Sequence, residues 1–125
     1  MKYLFPLILL FASCSSQNDL SPEELFSKTE SKNEIHQFID AWHQAAAVAD
    51  EDIFFGSIAD GGIYLGTDKT ERWTKEEFMD WGMKYFERDT AWAFTPYDRS
   101  IYFAEGGQIA WFEESLDTWM GPCRG

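Results

Sequence analysis

The spacing of apolar residues changes once along this chain, and this change restricts the fold more than any other feature. Up to about Arg88, apolar residues recur every three or four positions, as on helices that bury one face. Beyond it, β-branched and aromatic runs occupy 91–96, 100–104 and 108–116, and Glu105-Gly106-Gly107 forms a hairpin turn. The sequence therefore predicts an α+β domain, in which helices pack on one face of a curved antiparallel sheet.

Capping boxes predict where the longer helices begin. Ser31-Lys32-Asn33-Glu34 precedes apolar residues spaced three and four apart over 35–49. Thr74-Lys75-Glu76-Glu77 precedes a similar series that should run to about Arg88. Upstream of both, Ser21-Pro22-Glu23-Glu24 predicts a short helix, with Ser21 as N-cap and Pro22 at the first helical position.

The segment between the two longer helices predicts a short helix and a hairpin. Asp50-Glu51-Asp52 suits a first helical turn, where the helix dipole favours acids, and Gly61-Gly62 ends that helix. Residues 63–67 alternate like a strand, and Asp68-Lys69-Thr70 turns the chain before Glu71-Arg72-Trp73.

The first residues have the pattern of an export signal. A charged start at Met1-Lys2 is followed by an apolar run over 3–12, about half of the ~20 residues that a spanning helix needs. Phe11-Ala12-Ser13-Cys14 resembles the bacterial lipoprotein signal, in which the cysteine is lipidated and becomes the mature N-terminus. An ordinary cleaved signal with a chance cysteine is the alternative.

The lipoprotein interpretation divides the chain into three parts. Residues 1–13 are a signal peptide, 14–32 a tether rich in Ser, Asn and Glu, and 33–125 the domain. The domain is then expected on the exported side of the bacterial cell envelope, attached to a membrane only through Cys14. Cys123 is left alone, so no internal disulfide is expected.

Charge and composition exclude several partners and cofactors. Twenty-two acidic against ten basic residues give a net charge of -12, which repels nucleic acids and anionic membrane surfaces. The two histidines lie seven residues apart without a cysteine cluster, so no metal site is expected. Phosphate-binding glycine loops are also missing, and no cofactor is expected.

Several segments together resemble one known family. They are the helix ending in Trp42-His43, the run 64–73, Asp98-Arg99, the strand 110–114 and the end of the chain at 121–125. From Ile35 onward the sequence is similar to the SnoaL-like branch of the nuclear-transport-factor-2-like fold. The resemblance implies a cone of three N-terminal helices packed on a curved antiparallel sheet. It also implies two more strands after the Cys-Arg-Gly turn, so we expect an incomplete domain, with the apolar end of the last strand left without a partner.

The same resemblance implies that proton transfer, if the domain performs any, uses polar groups on the first helix and the inner sheet face. His43 is the best candidate base, because imidazole exchanges protons near neutral pH. The alternative is a helix-edge histidine that is hydrogen-bonded to a neighbour.

A glutamate of the last long strand is the candidate partner of this histidine. Either Glu113 or Glu114 must point inward, and Glu113 is preferred because it shares a face with Trp111, unless a bulge reverses the register. Desolvation beside Trp111 would raise the pKa of this carboxyl group, which would allow it to act as an acid or base. The alternatives are a solvated strand-end pair, or a carboxylate held by Arg99 or Arg124 for structural reasons.

Twenty-two aromatic residues are enough to line a pocket as well as a core. The candidate ligand-binding residues are Trp42, Phe54, Tyr64, Trp81, Tyr85 and Trp111, with Arg124 for an anionic group. Aromatic residues at these spacings also suit a core. Three functions follow: a domain that binds a small, mostly apolar molecule; a cofactor-free isomerase or hydrolase that uses His43 and Glu113; or a dimeric interaction module that uses the outer sheet face.

Overall fold

A computed structural model describes residues 21–125 of the chain. Its helices are α1 (Pro22–Ala47), α2 (Glu51–Gly56) and α3 (Lys75–Phe86). Its strands are β1 (Ile63–Leu65), β2 (Arg72–Thr74), β3 (Thr95–Phe103), β4 (Ala110–Thr118) and β5 (Gly121–Arg124). The strands form two antiparallel sheets, β1-β2 and β3-β4-β5. The predicted α+β class is confirmed. The predicted signal peptide and the predicted lipidation site Cys14 lie outside the described residues.

Helix α1 begins at the upstream capping box. The Ser21 hydroxyl accepts from the Glu24 amide at 3.3 Å, and the Glu24 carboxylate accepts from the Ser21 amide at 2.8 Å. The second predicted start, at Ser31, is wrong, because the residues before it are already helical and no free amides remain there to cap. Residues 22–32, expected in the tether, form about three turns of α1. No helix within 21–125 is long and apolar enough to cross a bilayer.

The predicted capping box at Thr74 is confirmed. Asp50, expected in the first turn of α2, is its N-cap, and the predicted end at Gly61-Gly62 is wrong, because α2 ends at Gly56. Asp50 accepts from the Ile53 amide at 3.0 Å, and Thr74 and Glu77 form a reciprocal capping box with bonds of 3.2 and 2.8 Å. Helix α3 ends at Phe86, two residues before the predicted end.

An aromatic core lies between the three helices. Its buried members are Ala45, Ala46, Phe54, Phe55, Phe78 and Phe86. Gly82 permits the close approach of α2 and α3, since a Cβ atom there would lie 3.1 Å from the Phe55 ring. Burial of each phenylalanine stabilises the fold by about 1.5–3 kcal/mol. This core fixes the C-terminal half of α1.

Strand β3 carries a bulge that the sequence did not reveal. The runs 91–96 and 100–104 were expected as separate strands, but Thr95–Phe103 is one strand. Tyr97 pairs with Ser115, and Ser100 pairs with Glu113. Between these two pairs β3 has one residue more than β4, which is a β-bulge. Asp98 takes up the extra residue with a left-handed φ of 52°.

The end of the chain pairs with β4. Strand β5 lies antiparallel to Ser115–Thr118, and Gly125 exchanges backbone hydrogen bonds of 2.8 and 2.9 Å with Glu114. The expectation that the apolar end of β4 has no partner is therefore wrong. The two further strands implied by the resemblance stay a prediction.

Candidate functional site

Charged and polar side chains from three elements meet where α1 crosses the β3-β4 sheet. They are His36, Asp40 and His43 from α1, Arg99 from β3 and Glu114 from β4. The helical members are spaced four and three residues apart, which places them on one face of α1. We call these five residues the His43 cluster.

Glu114 is the centre of the His43 cluster. Its side chain is buried, with 2% exposure, and both of its carboxylate oxygens have charged or polar partners. Oε1 lies 2.5 Å from His43 Nε2, and Oε2 accepts from Arg99 Nε at 2.6 Å. A carboxylate can be buried in this way because charged partners replace the water that it loses.

Arg99 ties this carboxylate to the helix. Its Nη1 donates to Asp40 Oδ1 at 2.8 Å and to the His36 carbonyl oxygen at 3.2 Å, and lies 3.4 Å from His36 Nδ1. The β3 bulge makes this possible, since Arg99 lies in the bulged segment opposite Glu114. One guanidinium group thus holds sheet and helix together.

His43 keeps one ring nitrogen available. Nε2 faces Glu114, whereas Nδ1 has no hydrogen-bond partner within 21–125. The His43 side chain is 10% exposed, and no side-chain nitrogen or oxygen in this range is both fully buried and unpartnered. The carboxylate favours the tautomer that carries its proton on Nε2, which leaves the Nδ1 lone pair free to accept another. The rings of Trp42 and Phe94 flank the imidazole at 5.6 and 6.3 Å.

Glu113, the preferred partner of His43, lies on the other face of the sheet. Its carboxylate accepts from the Tyr102 hydroxyl at 3.1 Å and pairs with Arg124 Nη2 at 3.2 Å. Its side chain is 45% exposed, and Trp111 on the same face is 52% exposed. The predicted inward position of Glu113 is therefore wrong, and Glu114 occupies that position.

The sequence contained the signal that identifies Glu114. Alternation continued past Glu114 puts Leu116 on its face, together with Phe112, while Ser115 and Asp117 fall on the opposite face. The more apolar series is the one that packs inward, and it contains Glu114. Trp111, whose face Glu113 shares, lies on the exposed side of the sheet, so it does not indicate the inward face.

Most of the candidate ligand-binding aromatic residues fill the core instead of lining a cavity. Trp42 stacks on Phe54 at 5.0 Å and donates its indole N–H to the Phe54 carbonyl at 3.1 Å. Tyr64 stacks on Phe78 at 3.7 Å, and its pKa is raised by burial and by the nearby Glu71 carboxylate.

The two remaining aromatic candidates of this group extend the same network. Trp81 stacks on Trp73 at 4.9 Å, and Tyr85 packs against Trp81 at 5.0 Å. Trp111 and Arg124 lie elsewhere, on β4 and β5, so the structure does not bring the seven candidates into one pocket.

Two open depressions lie along the other half of α1. A groove of about 880 Å³ separates the first turns of α1 from the β3-β4 turn. A hollow of about 250 Å³ lies beside β3. Neither is lined by His43. Within 21–125, no three His, Cys, Asp or Glu side chains are grouped to hold a metal.

Comparison with known families decides where this fold belongs. The model of the SnoaL-like domain matches residues 35–125, which include every residue of the His43 cluster. The chain belongs to the SnoaL-like family. This membership of the nuclear-transport-factor-2-like superfamily confirms the resemblance inferred from the sequence. No curated protein and no solved structure matches the chain.

Proposed function

We propose that this SnoaL-like domain binds a small, mostly apolar molecule at His43 and transfers a proton on it. His43 is the base, and Glu114 orients it. One observation carries the proposal: His43 Nε2 lies 2.5 Å from a buried carboxylate, while Nδ1 has no hydrogen-bond partner among residues 21–125 and the side chain keeps 10% exposure. The half-buried ring of Phe94 beside the imidazole favours a substrate with an apolar body. SnoaL-like domains typically bind small molecules or act as isomerases.

The chemistry that fits this arrangement is a proton shift. The Nδ1 lone pair removes a proton from an acidic C–H of the substrate, and the electron pair left behind moves into the adjacent unsaturated group. The resulting imidazolium ion is stabilised by Glu114 and returns the proton at another carbon, which completes an isomerisation. Arg99 and its contacts with α1 keep Glu114 from rotating away from His43.

A proton-abstraction probe tests the role of His43. An activated benzisoxazole opens irreversibly once a base removes its ring C–H proton, so it reports base strength and access without knowledge of the natural substrate. The purified chain should accelerate this opening, and His43→Ala should lower the rate about 100-fold, the lower range for general base catalysis. The opening is followed by absorbance.

Gln44→Ala is the matched control, because Gln44 is the next residue of α1, is exposed and lies outside the His43 cluster. It should retain the rate. Nitrogen-15 shifts of the neutral imidazole give a second readout: His43 should carry its proton on Nε2, and Glu114→Gln should mix the two tautomers. Equal rates in His43→Ala and Gln44→Ala, or a proton on Nδ1, would refute the proposal.

We further propose that the chain is exported and anchored to a membrane of the bacterial cell envelope through a lipid on Cys14. The support is the sequence: a charged start, a short apolar run and the Phe-Ala-Ser-Cys ending. Cys14→Ser should abolish incorporation of a fatty-acid analogue in bacterial cells that express the chain. Cys123→Ser is the matched control, since Cys123 is an exposed thiol in β5, and it should label normally. Label retained in Cys14→Ser would contradict the proposal.

A further inference from the structure

The hollow beside β3 has a composition unlike the rest of this acidic chain. Its lining is two lysines and four apolar or aromatic residues: Lys28, Lys32, Ile101, Tyr102, Phe103 and Trp111. No acidic side chain lines it, although acids outnumber bases by 22 to 10 in the chain. The two lysines are the only charged side chains among its lining residues, and Glu113, which is bonded to the Tyr102 hydroxyl, is itself paired with Arg124.

The two lysines are placed to act together. They are four residues apart on α1 and so share one helix face. Neither forms an ion pair with any residue in the described part of the chain. Lys28 Nζ lies 6.0 Å from the centre of the Phe103 ring, and Lys32 is half-buried. Two neighbouring ammonium groups repel each other, and an anion between them would relieve that repulsion.

The apolar side of the hollow contains a stacked pair of aromatic rings. Tyr102 and Trp111 are directly opposite each other on β3 and β4, and their rings stack at 5.7 Å with an interplanar angle of 19°. The Tyr102 hydroxyl is fixed by its bond to Glu113. Both rings remain exposed to solvent, so a ligand meets them without a costly rearrangement.

We propose that this hollow binds a small carboxylate that carries an aromatic or similarly compact apolar body. The carboxylate lies between the ammonium groups of Lys28 and Lys32, and the body packs on the rings. A volume of about 250 Å³ suits a ligand smaller than most drug-sized molecules.

This site is distinct from the proton-transfer site. Lys32 and His43 are eleven residues apart on α1, about 16 Å along the helix axis. Both lysines also precede residues 35–125, the segment that matches the SnoaL-like model. The inference does not depend on the proposed role of His43.

Titration of the nitrogen-15 labelled chain with benzoate tests the proposal. The indole N–H signal of Trp111 should shift and saturate, and added salt should weaken binding, because the attraction is between exposed charges. Lys28→Met with Lys32→Met should raise the Kd about tenfold or more, a loss of about 1.4 kcal/mol. Methionine keeps the apolar stem, and each single variant should show part of the loss.

Lys84→Met is the matched control, because Lys84 also lies over aromatic rings, those of Trp81 and Tyr85, but on α3. It should leave the Kd unchanged. Benzamide, the neutral analogue, should bind much more weakly than benzoate, and so should inorganic phosphate, which has no apolar body. Equal binding of either probe, no saturable shift with benzoate, or full affinity in the double lysine variant would overturn the proposal.

Discussion

Arg99→Met should lower the free energy of unfolding by about 3–5 kcal/mol. Arg99 is 7% exposed in its side chain and donates to Glu114 Oε2 at 2.6 Å. Methionine fills similar space but leaves the Glu114 carboxylate buried with only His43 as a partner. Uncompensated burial of that charge is the main source of the loss, with the broken link to Asp40 a smaller contribution. Chemical denaturation followed by circular dichroism measures the change.

Two variants distinguish this explanation from a simple loss of packing. Arg99→Met combined with Glu114→Leu removes both charges, and it should recover most of the stability, since a buried ion pair is often replaceable by apolar residues. Arg72→Met removes an exposed arginine of β2 that has no ion pair among residues 21–125, and it should change stability by about 0.5 kcal/mol or less. A double variant no more stable than Arg99→Met would contradict the charge argument.

Helix starts can be predicted where the capping side chain and the amide that it caps are close in sequence. Ser21, Asp50 and Thr74 each cap an amide within three residues, so the sequence window that predicts the cap also contains its partner. The false start at Ser31 has the same motif. It differs only because the preceding turns are helical, and a four-residue pattern carries no information about them. Context beyond the motif therefore decides whether a capping box is used.

The His43 cluster was predictable only in part. The choice of His43 came from the family resemblance and the chemistry of imidazole, and that of an inward glutamate on β4 came from strand alternation. The face of Glu114 could have been read from Leu116. The contact between His43 and Glu114 spans 71 residues, and the Arg99 position depends on the left-handed φ of Asp98. Neither follows from spacing, because both depend on how distant elements pack.

The aromatic residues raise a different difficulty. A phenylalanine that lines a pocket and one that fills a core have the same spacing and the same hydrophobicity. Only mutual packing separates the two cases, and in this fold Phe54 is surrounded by other rings. Its role as a candidate ligand-binding residue can therefore be tested through stability.

Phe54→Ala should lower the free energy of unfolding by about 3–5 kcal/mol. Phe54 is 1% exposed, and the rings of Trp42, Phe55, Phe86 and Trp92 lie 5.0 to 5.2 Å from its own. Alanine would lose the transfer free energy of the ring and leave a cavity that rigid aromatic neighbours fill poorly. Trp119→Ala is the control, because Trp119 is 84% exposed and its loss should have little effect on denaturation.

Benzene adds a second measurement to the same variant. A dry apolar cavity lined by aromatic rings should bind benzene and raise the Tm of Phe54→Ala, while the unaltered chain, whose core is filled, should show no such shift. The opposite pattern, a stable Phe54→Ala and a benzene-dependent Tm in the unaltered chain, would mean that Phe54 lines an open pocket. That result would return ligand binding to the aromatic cluster and move the candidate substrate site from the α1-β4 contact to the space between the helices.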